Sequence, residues 1–579
     1  MKEHIIKKII ACLGIDHKCY NRLVNYILRA YEEPTIMLIE GPTGIGKTTS
    51  LVVGSLIYTA SAILEGKISR RTLFCVKAYP LLNKVLSMFT HYINQLKKEC
   101  VSSKLRVVAF KGKEKCCPYS LSDSIHGSVY ALCESLLFNR KCIFYTNLIS
   151  NFSDALKITY EFYDCHLEEK LIESNLCPYY LTKALLSDAN IILTTYYNLF
   201  NAHLVNELEF PVVIVDEVHN LPLYIFDQFT IAFNLTNVKQ ELRSLLPSHI
   251  LDKVFIHLAE VEDRRPHLLS KLIDLDSIYN AYHLIRDKVI WSLEEVDVQR
   301  ELYQRYLYFF NYLVSHYGEL IFIKNKEDCV ITLDRIFYKA SEHFKNTYSF
   351  IGTSATLHPV QHYVRLLFAD ANKRIVILRY KRYPINQLPK ICPVYHEGFT
   401  SLYKRRTISL IESVAEKVLE ITKEGQRTVV FVASKELGSM IEAEIKRKFK
   451  NVKVSNLDYQ QLNTLDEGSS IIIVSQRGRY SEGVDINADN IVIFGFSLAP
   501  YTVYQYAYMM ALPYNKLSEK YKFGYILPAV IALVQSIGRV LRPTKKHVTL
   551  HVLEDRLHRK YIVDLLPKWM SETLTGVNR

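Results

Sequence analysis

The sequence predicts an α/β protein built from two parallel-sheet domains, the first of them interrupted by insertions. Three observations carry this. Short, uniformly apolar runs of four or five residues recur with helical patterns between them; a glycine-rich turn joins one such run to a helix; and a long glycine-free stretch shows helical Leu/Ile/Tyr periodicity. At 579 residues and 49% apolar content, the chain is long enough for roughly four domains with substantial cores.

Taken in order, Pro34 to Ser50 reads as a strand (Ile36, Met37, Leu38, Ile39), a glycine turn, and a helix beginning at Lys47. Further buried-strand runs are Thr72 to Val76, Ile191 to Thr194 and Val212 to Val215. No glycine lies between Gly127 and Gly318, and Asn237 to Tyr317 predicts a mostly helical insertion that returns through strand-like Leu320 to Ile323 and Val330 to Leu333. A second α/β unit is expected from Val376, with strands at Thr428 to Val432, Ile471 to Val474, Ile491 to Phe494 and Val548 to Val552.

The net charge of +13 points to a polyanionic partner, nucleic acid being the commonest. No apolar run approaches the ~18 residues of a membrane span, and Met1 to Lys8 is basic without a signal-peptide core, so a cytoplasmic protein is expected with no membrane partner. In a reducing compartment twelve cysteines are not a disulfide framework, and clustered ones are metal-ligating or buried.

Gly41-Pro42-Thr43-Gly44-Ile45-Gly46-Lys47-Thr48 fits a phosphate-binding loop. Its glycines let backbone N–H groups wrap phosphates, the Lys47 ammonium meets the β/γ charge and the Thr48 hydroxyl suits Mg²⁺. Asp216-Glu217-Val218-His219 follows an apolar strand, which places Asp216 at the carboxyl end of the sheet as a Mg²⁺ ligand and Glu217 where it would orient and deprotonate the attacking water. His219 is expected to couple this site to the rest of the molecule. Gln535-Ser536-Ile537-Gly538-Arg539-Val540-Leu541-Arg542 places two arginines three apart on one helix face, suited to an arginine-finger role across a domain interface, with Gln535 one turn earlier. Ser354-Ala355-Thr356 and Arg477 to Asp485 are weaker signals alone.

These five motifs occur in the order found in superfamily 2 helicases, and the chain resembles the XPD branch, the iron-sulfur DNA helicases that include DinG-like and FANCJ-like proteins. Leu176-Cys177-Pro178-Tyr179-Tyr180 is similar to that branch's cysteine-proline-tyrosine signature. The resemblance implies two RecA-like motor domains with an iron-sulfur insertion and a helical arch insertion in the first. The expected divisions are motor domain 1 at 1–110, 181–224 and 341–375, the cluster domain at 111–180, the arch at 225–340 and motor domain 2 at 376–579.

It also implies ATP-driven 5'-to-3' movement on single-stranded DNA, a role in DNA repair, forked DNA and repair-complex proteins as partners, and a monomer. The nucleotide set carried over is Gly41, Thr43, Gly44, Gly46, Lys47, Thr48, Thr49, Asp216 and Asp485, with Lys47, Glu217, Gln535, Arg539 and Arg542 catalytic and Thr48 and Asp216 on Mg²⁺. Four cysteines match the branch's [4Fe-4S] ligands: Cys133, Cys142, Cys177 and, for the first, Cys117 or its neighbour Cys116. Zinc is the competing metal, although the intervals of 15, 8 and 34 residues between Cys117, Cys133, Cys142 and Cys177 do not match closely paired zinc knuckles. Cys75 reads as core and Cys165 as a decoy. From Val101 to Tyr145 seven Lys/Arg face three Asp/Glu, a net +4 that suits a nucleic-acid path.

Three departures from the branch stand out. No glutamine lies near Tyr20-Asn21-Arg22 to read adenine, Lys77-Ala78-Tyr79-Pro80 lacks the usual arginine-threonine pair, and Val218 replaces alanine. A non-unwinding ATP-gated scaffold and an RNA-remodelling motor are the alternative readings.

Overall fold

The computed structural model describes residues 9–10, 18–42, 44–97, 105–121, 129–161, 167–200, 211–291, 298–379, 390–449, 452–456, 470–477, 486–540 and 547–575. Its strands are β1 (Thr35–Glu40), β2 (Thr72–Val76), β3 (Val107–Ala109), β4 (Ile191–Thr195), β5 (Val212–Asp216), β6 (Thr230–Asn234), β7 (His267–Leu268), β8 (Leu320–Asn325), β9 (Asp328–Leu333), β10 (Ser349–Ser354), β11 (Arg374–Arg379), β12 (Lys390–Tyr395), β13 (Thr428–Val432), β14 (Val454–Asn456), β15 (Ile471–Ser475), β16 (Asn490–Phe494) and β17 (His547–Val552).

The first sheet has seven strands in the order β11-β1-β10-β5-β2-β4-β3, and the second has six in the order β12-β17-β16-β13-β15-β14. Every pair within both is parallel. Parallel strands covered by helices on both faces must be apolar throughout, which is why β1, β2 and β13 read as unbroken hydrophobic runs. Period-2 alternation still divides them. In β2, Leu73 and Cys75 face one core with Val213 and Val215, while Phe74 and Val76 face the other with the Lys47–Leu64 helix. Cys75 is therefore core, and burial pushes its thiol up.

The expected helical insertion contains the helices Leu235–Leu242, Ser248–Glu260, Leu275–Trp291 and Val298–Ser315. It also has a four-stranded antiparallel sheet, β6-β9-β8-β7, that corrects the mostly helical expectation. β8 and β9 lie where the sequence shows strand-like runs, but β6 alternates too weakly, being only half-buried, to be seen without its partner.

The expected boundaries also shift. The strand through Val376 pairs along its length with β1, so β11 completes the first sheet and the second begins at β12. The divisions at 180/181, 224/225 and 340/341 each cut a helix, Pro178–Leu185, Leu221–Gln228 and Ile336–Lys345. Two helices, Lys47–Leu64 and Leu517–Gly538, have the length and composition of a membrane span, but both are mostly buried in the cores of the two parallel-sheet domains.

The second sheet domain holds a buried ion pair behind β17. Glu554 accepts from Arg556 Nε at 2.8 Å and Nη2 at 2.9 Å, and from Ser401 N at 3.0 Å and Oγ at 2.8 Å. Burial alone would raise its carboxyl, but Arg556 and Ser401 hold it below the usual range. A lowered folded pKa stabilises at neutral pH and is lost as pH falls through that value. Glu554→Ala leaves the buried Arg556 guanidinium without its counter-charge, with only Ser401 Oγ still accepting from it, so an expected loss of about 3–5 kcal/mol should appear as a lower urea midpoint. A change below about 1 kcal/mol would show that water or another acceptor replaces the carboxylate.

Candidate active site and thiol cluster

Strand order brings the nucleotide motifs together. β10 lies between β1 and β5, with Glu40 opposite Ser354 and Thr353 opposite Asp216. The loop leaves β1 at Gly41, whose N–H donates to Ser354 O at 3.1 Å. Gly44 and Gly46 have φ of 84° and 78°, left-handed conformations that a side chain would strain, and Gly46 caps the Lys47–Leu64 helix. The buried Lys47 Nζ donates to Gly41 O at 2.7 Å and Pro42 O at 2.8 Å. Thr49 lies in the first turn of the same helix; Thr43 falls outside the described residues.

Thr48 Oγ1 donates to Asp216 Oδ2 at 2.7 Å, and Thr353 Oγ1 donates to Asp216 Oδ1 at 2.7 Å, so both carboxylate oxygens are oriented. Burial, and then the neighbouring Glu217 charge, raise the Asp216 carboxyl. Burial also lowers Lys47, against the pull of Glu217 and Asp216. Glu217 itself has φ 54° and accepts through its backbone O from Tyr196 OH at 3.0 Å; the same hydroxyl donates to Asp216 O. Burial would raise Glu217, but His219, Lys47 and Arg539 overcome it and hold the carboxyl at about 2.

One chain of contacts crosses between the two sheet domains. Gln535 Nε2 lies 2.8 Å from His219 Nε2, while His219 Nδ1 lies 2.6 Å from Ser354 Oγ and 3.2 Å from Glu217 Oε2. With the amide nitrogen donating to Nε2, Nδ1 carries the proton toward Ser354 and Glu217. Ser354 Oγ lies 3.2 Å from Glu217 Oε2 as well. His219 therefore bridges the domains, as its place in the motif suggested. Ser354 and Tyr196 are functional residues that the sequence does not single out: S-A-T is a weak signal alone, and nothing local marks Tyr196 as clamping the acidic box.

The helix carrying Gln535 ends at Gly538, and Arg539 lies in the following turn, where its charge acts on Glu217. Arg539 caps that helix in right-handed helical backbone. Arg542 and Asp485 fall outside the described residues, as does Cys165.

In the insertion, Cys117, Cys133, Cys142 and Cys177 are all within electrostatic reach of one another. Three of these thiols sit at helix starts. Cys142 and Cys177 are the N-caps of Ile143–Ser150 and Pro178–Leu185, and Cys117 precedes Pro118–Leu121. Burial pushes all three thiols up, and the backbone N–H groups of Tyr119 and Ser120, of Phe144 and Tyr145, and of Tyr180 that point at these sulfurs offset part of that push. Cys116 differs: its Sγ donates to Gly112 O at 3.2 Å, a role open only to a protonated thiol. Among the described residues no group of three or more His, Cys, Asp or Glu is placed to hold a single metal ion.

The DEAD_2 family model matches residues 74–238 and the Helicase C-terminal domain model matches 407–573. The ATP-dependent DNA helicase XPD of Sulfolobus acidocaldarius is 22% identical over 424 residues, covering 68% of this chain and 74% of that protein. The chain belongs to the XPD-type branch of superfamily 2 helicases. The bovine regulator of telomere elongation helicase 1 is 27% identical over 245 residues, 35% of this chain and 20% of that one, so the match spans about a fifth of that relative. Among solved structures, one titled XPD helicase superposes at a TM-score of 0.64 with 18% identity, covering 95% of this chain and 98% of the other. The S. tokodaii Xpd4 structure superposes at 0.55 with 14% identity and the same coverages, 95% and 98%. These likenesses support the XPD-type fold: two RecA-like motors, with insertions in the first.

Proposed function

We propose that this chain is an ATP-dependent DNA helicase that moves 5'-to-3' on single-stranded DNA. The observation that carries it is the Gln535–His219–Glu217 contact, because it joins the nucleotide site to the second motor. Thr48 and Asp216 would hold Mg²⁺, which supplies charge neutralisation on the phosphates. Lys47 would exchange the Gly41 and Pro42 carbonyls for phosphate oxygens. Glu217, held anionic far below neutral pH, orients the attacking water, and His219 reports its position to Gln535. Arg539 approaches from the second motor to meet the developing γ-phosphate charge.

Cys117, Cys133, Cys142 and Cys177 are the proposed [4Fe-4S] ligands; such a cluster supplies a rigid covalent junction among the segments that carry them. The mutual proximity of the four sulfurs, three of them facing helix-start amides that offset part of the burial, supports this set, and the donor role of Cys116 supports leaving it out. Beside them Lys113 Nζ lies 5.3 Å from the Tyr179 ring centroid and 5.6 Å from those of Tyr130 and Tyr180, a cationic aromatic surface suited to single-stranded or forked DNA. The XPD name of a general transcription and DNA repair factor subunit among the relatives supports repair-complex partners.

The deciding experiment is unwinding of duplexes with 5' or 3' tails. Wild type should open only the 5'-tailed duplex, and Lys47→Ala should lower both hydrolysis and unwinding about 100-fold or more. DNA-stimulated hydrolysis without strand separation would identify a gated scaffold instead. Opening of the 3'-tailed duplex would overturn the direction, and stimulation by RNA alone would overturn the substrate.

A further inference from the structure

Glu40 is the last residue of β1, immediately before the phosphate loop, and its side chain is 5% exposed. Among the described residues its Oε1 has no hydrogen-bond partner. A buried carboxylate with an unmet oxygen is costly, and such groups are retained where they serve something other than stability. Its surroundings come from two pieces of the molecule, the end of β11 and the stretch that runs from β10 into the following loop.

The Arg379 guanidinium lies 3.8 Å from Oε2; Arg379 ends β11, beyond which the chain passes to β12 in the second motor. The Leu357 backbone amide also faces the carboxylate. Leu357 belongs to the loop on which the second motor docks, where Trp569 Nε1 donates to Ala355 O at 3.3 Å and His358 Nε2 lies 3.2 Å from Asp564 O. Across the sheet, Glu40 is level with Ser354, which touches both Glu217 and His219.

We propose that Glu40 is a positioning residue that links the phosphate loop to the docking loop and to the strand leading into the second motor, so that motor closure is transmitted to Gly41. The inference rests on the helicase reading above. The ionisable groups facing Glu40 are Arg379 from β11 and Tyr363 from the helix Val360–Leu367, and His358 in turn faces Arg379. Burial pushes the Glu40 carboxyl up to about 7, against Arg379 and the Leu357 amide. The charge on this link therefore changes across neutral pH: the carboxylate pairs with Arg379 above about pH 7 and loses that charge below it.

The test is the KM for ATP in DNA-stimulated hydrolysis from pH 5.5 to 8.5, for the full chain and for Glu40→Gln and Arg379→Gln. Wild type is expected to change KM on the order of 5-fold relative to Glu40→Gln, with a midpoint near 7, while kcat moves much less. Glu40→Gln should follow the low-pH wild-type behaviour at every pH. Arg379→Gln removes the partner that lowers the carboxyl, so its midpoint should move upward, a change that a merely structural residue would not produce. Arg379 is the more exposed member of the pair, and this variant keeps the test alive should Glu40→Gln fail to fold. Parallel profiles for wild type and Glu40→Gln, or an unmoved midpoint in Arg379→Gln, would overturn the inference. Hydrolysis that survives Lys47→Ala would instead reject the helicase site itself.

Discussion

Glu217→Gln is expected to lower kcat for DNA-stimulated ATP hydrolysis by about 10²–10⁴, with the KM for ATP changed only a few-fold. The argument rests on where the charge sits. The glutamine amide can keep a contact to His219 or Ser354, so the loss isolates the negative charge rather than the packing. Lys47, Thr48 and Asp216, which would meet the phosphates and Mg²⁺, are untouched, and binding should survive. Because Glu217 is held at about 2, it stays charged throughout the neutral range, and its protonation should remove activity only near that value. Any step in the rate between pH 6 and 8 must arise elsewhere. Steady-state hydrolysis with saturating single-stranded DNA measures this directly. A Glu217→Gln enzyme within a few-fold of wild type would move the water-orienting role to another group.

The parts of this molecule legible in sequence are those whose causes are local. A strand buried on both faces needs an unbroken apolar run, and the strands carrying the phosphate loop and acidic box read correctly for that reason. The loop needs glycine at left-handed positions, and Gly44 and Gly46 supply it. What was not legible depends on pairing between distant segments. β11 resembles the start of a new domain until its register with β1 is known. Ser354 looks like one hydroxyl in a weak motif until β10 places it beside Glu217 and His219. Gln535 could be assigned to a motor helix, but its partner 316 positions away could not. The choice between Cys116 and Cys117 turns on one step of backbone at a helix end, which spacing cannot resolve.

That choice gives the second large effect. Cys117→Ser is expected to abolish visible absorbance and reduce bound iron from about four per chain to near zero, whereas Cys116→Ser should keep both. Adjacent cysteines of equal chemistry would give equal losses if proximity alone mattered. They differ in what the backbone offers each sulfur. Burial pushes the Cys117 thiol up, but the N–H groups of Tyr119 and Ser120 offset part of that, and its sulfur lies within reach of those of Cys133, Cys142 and Cys177 as one group of four. Cys116 instead has its thiol donating toward Gly112 O, and beyond the burial that raises both thiols the Glu168 charge pushes it up further. Ionising Cys116 would sacrifice that hydrogen bond and set a second charge beside the first. Iron quantitation and the visible spectrum of wild type and the two serine variants decide it. Equal iron in both variants would reject the four-thiolate arrangement around Cys117, and a colourless wild type carrying zinc would reject the iron-sulfur reading altogether.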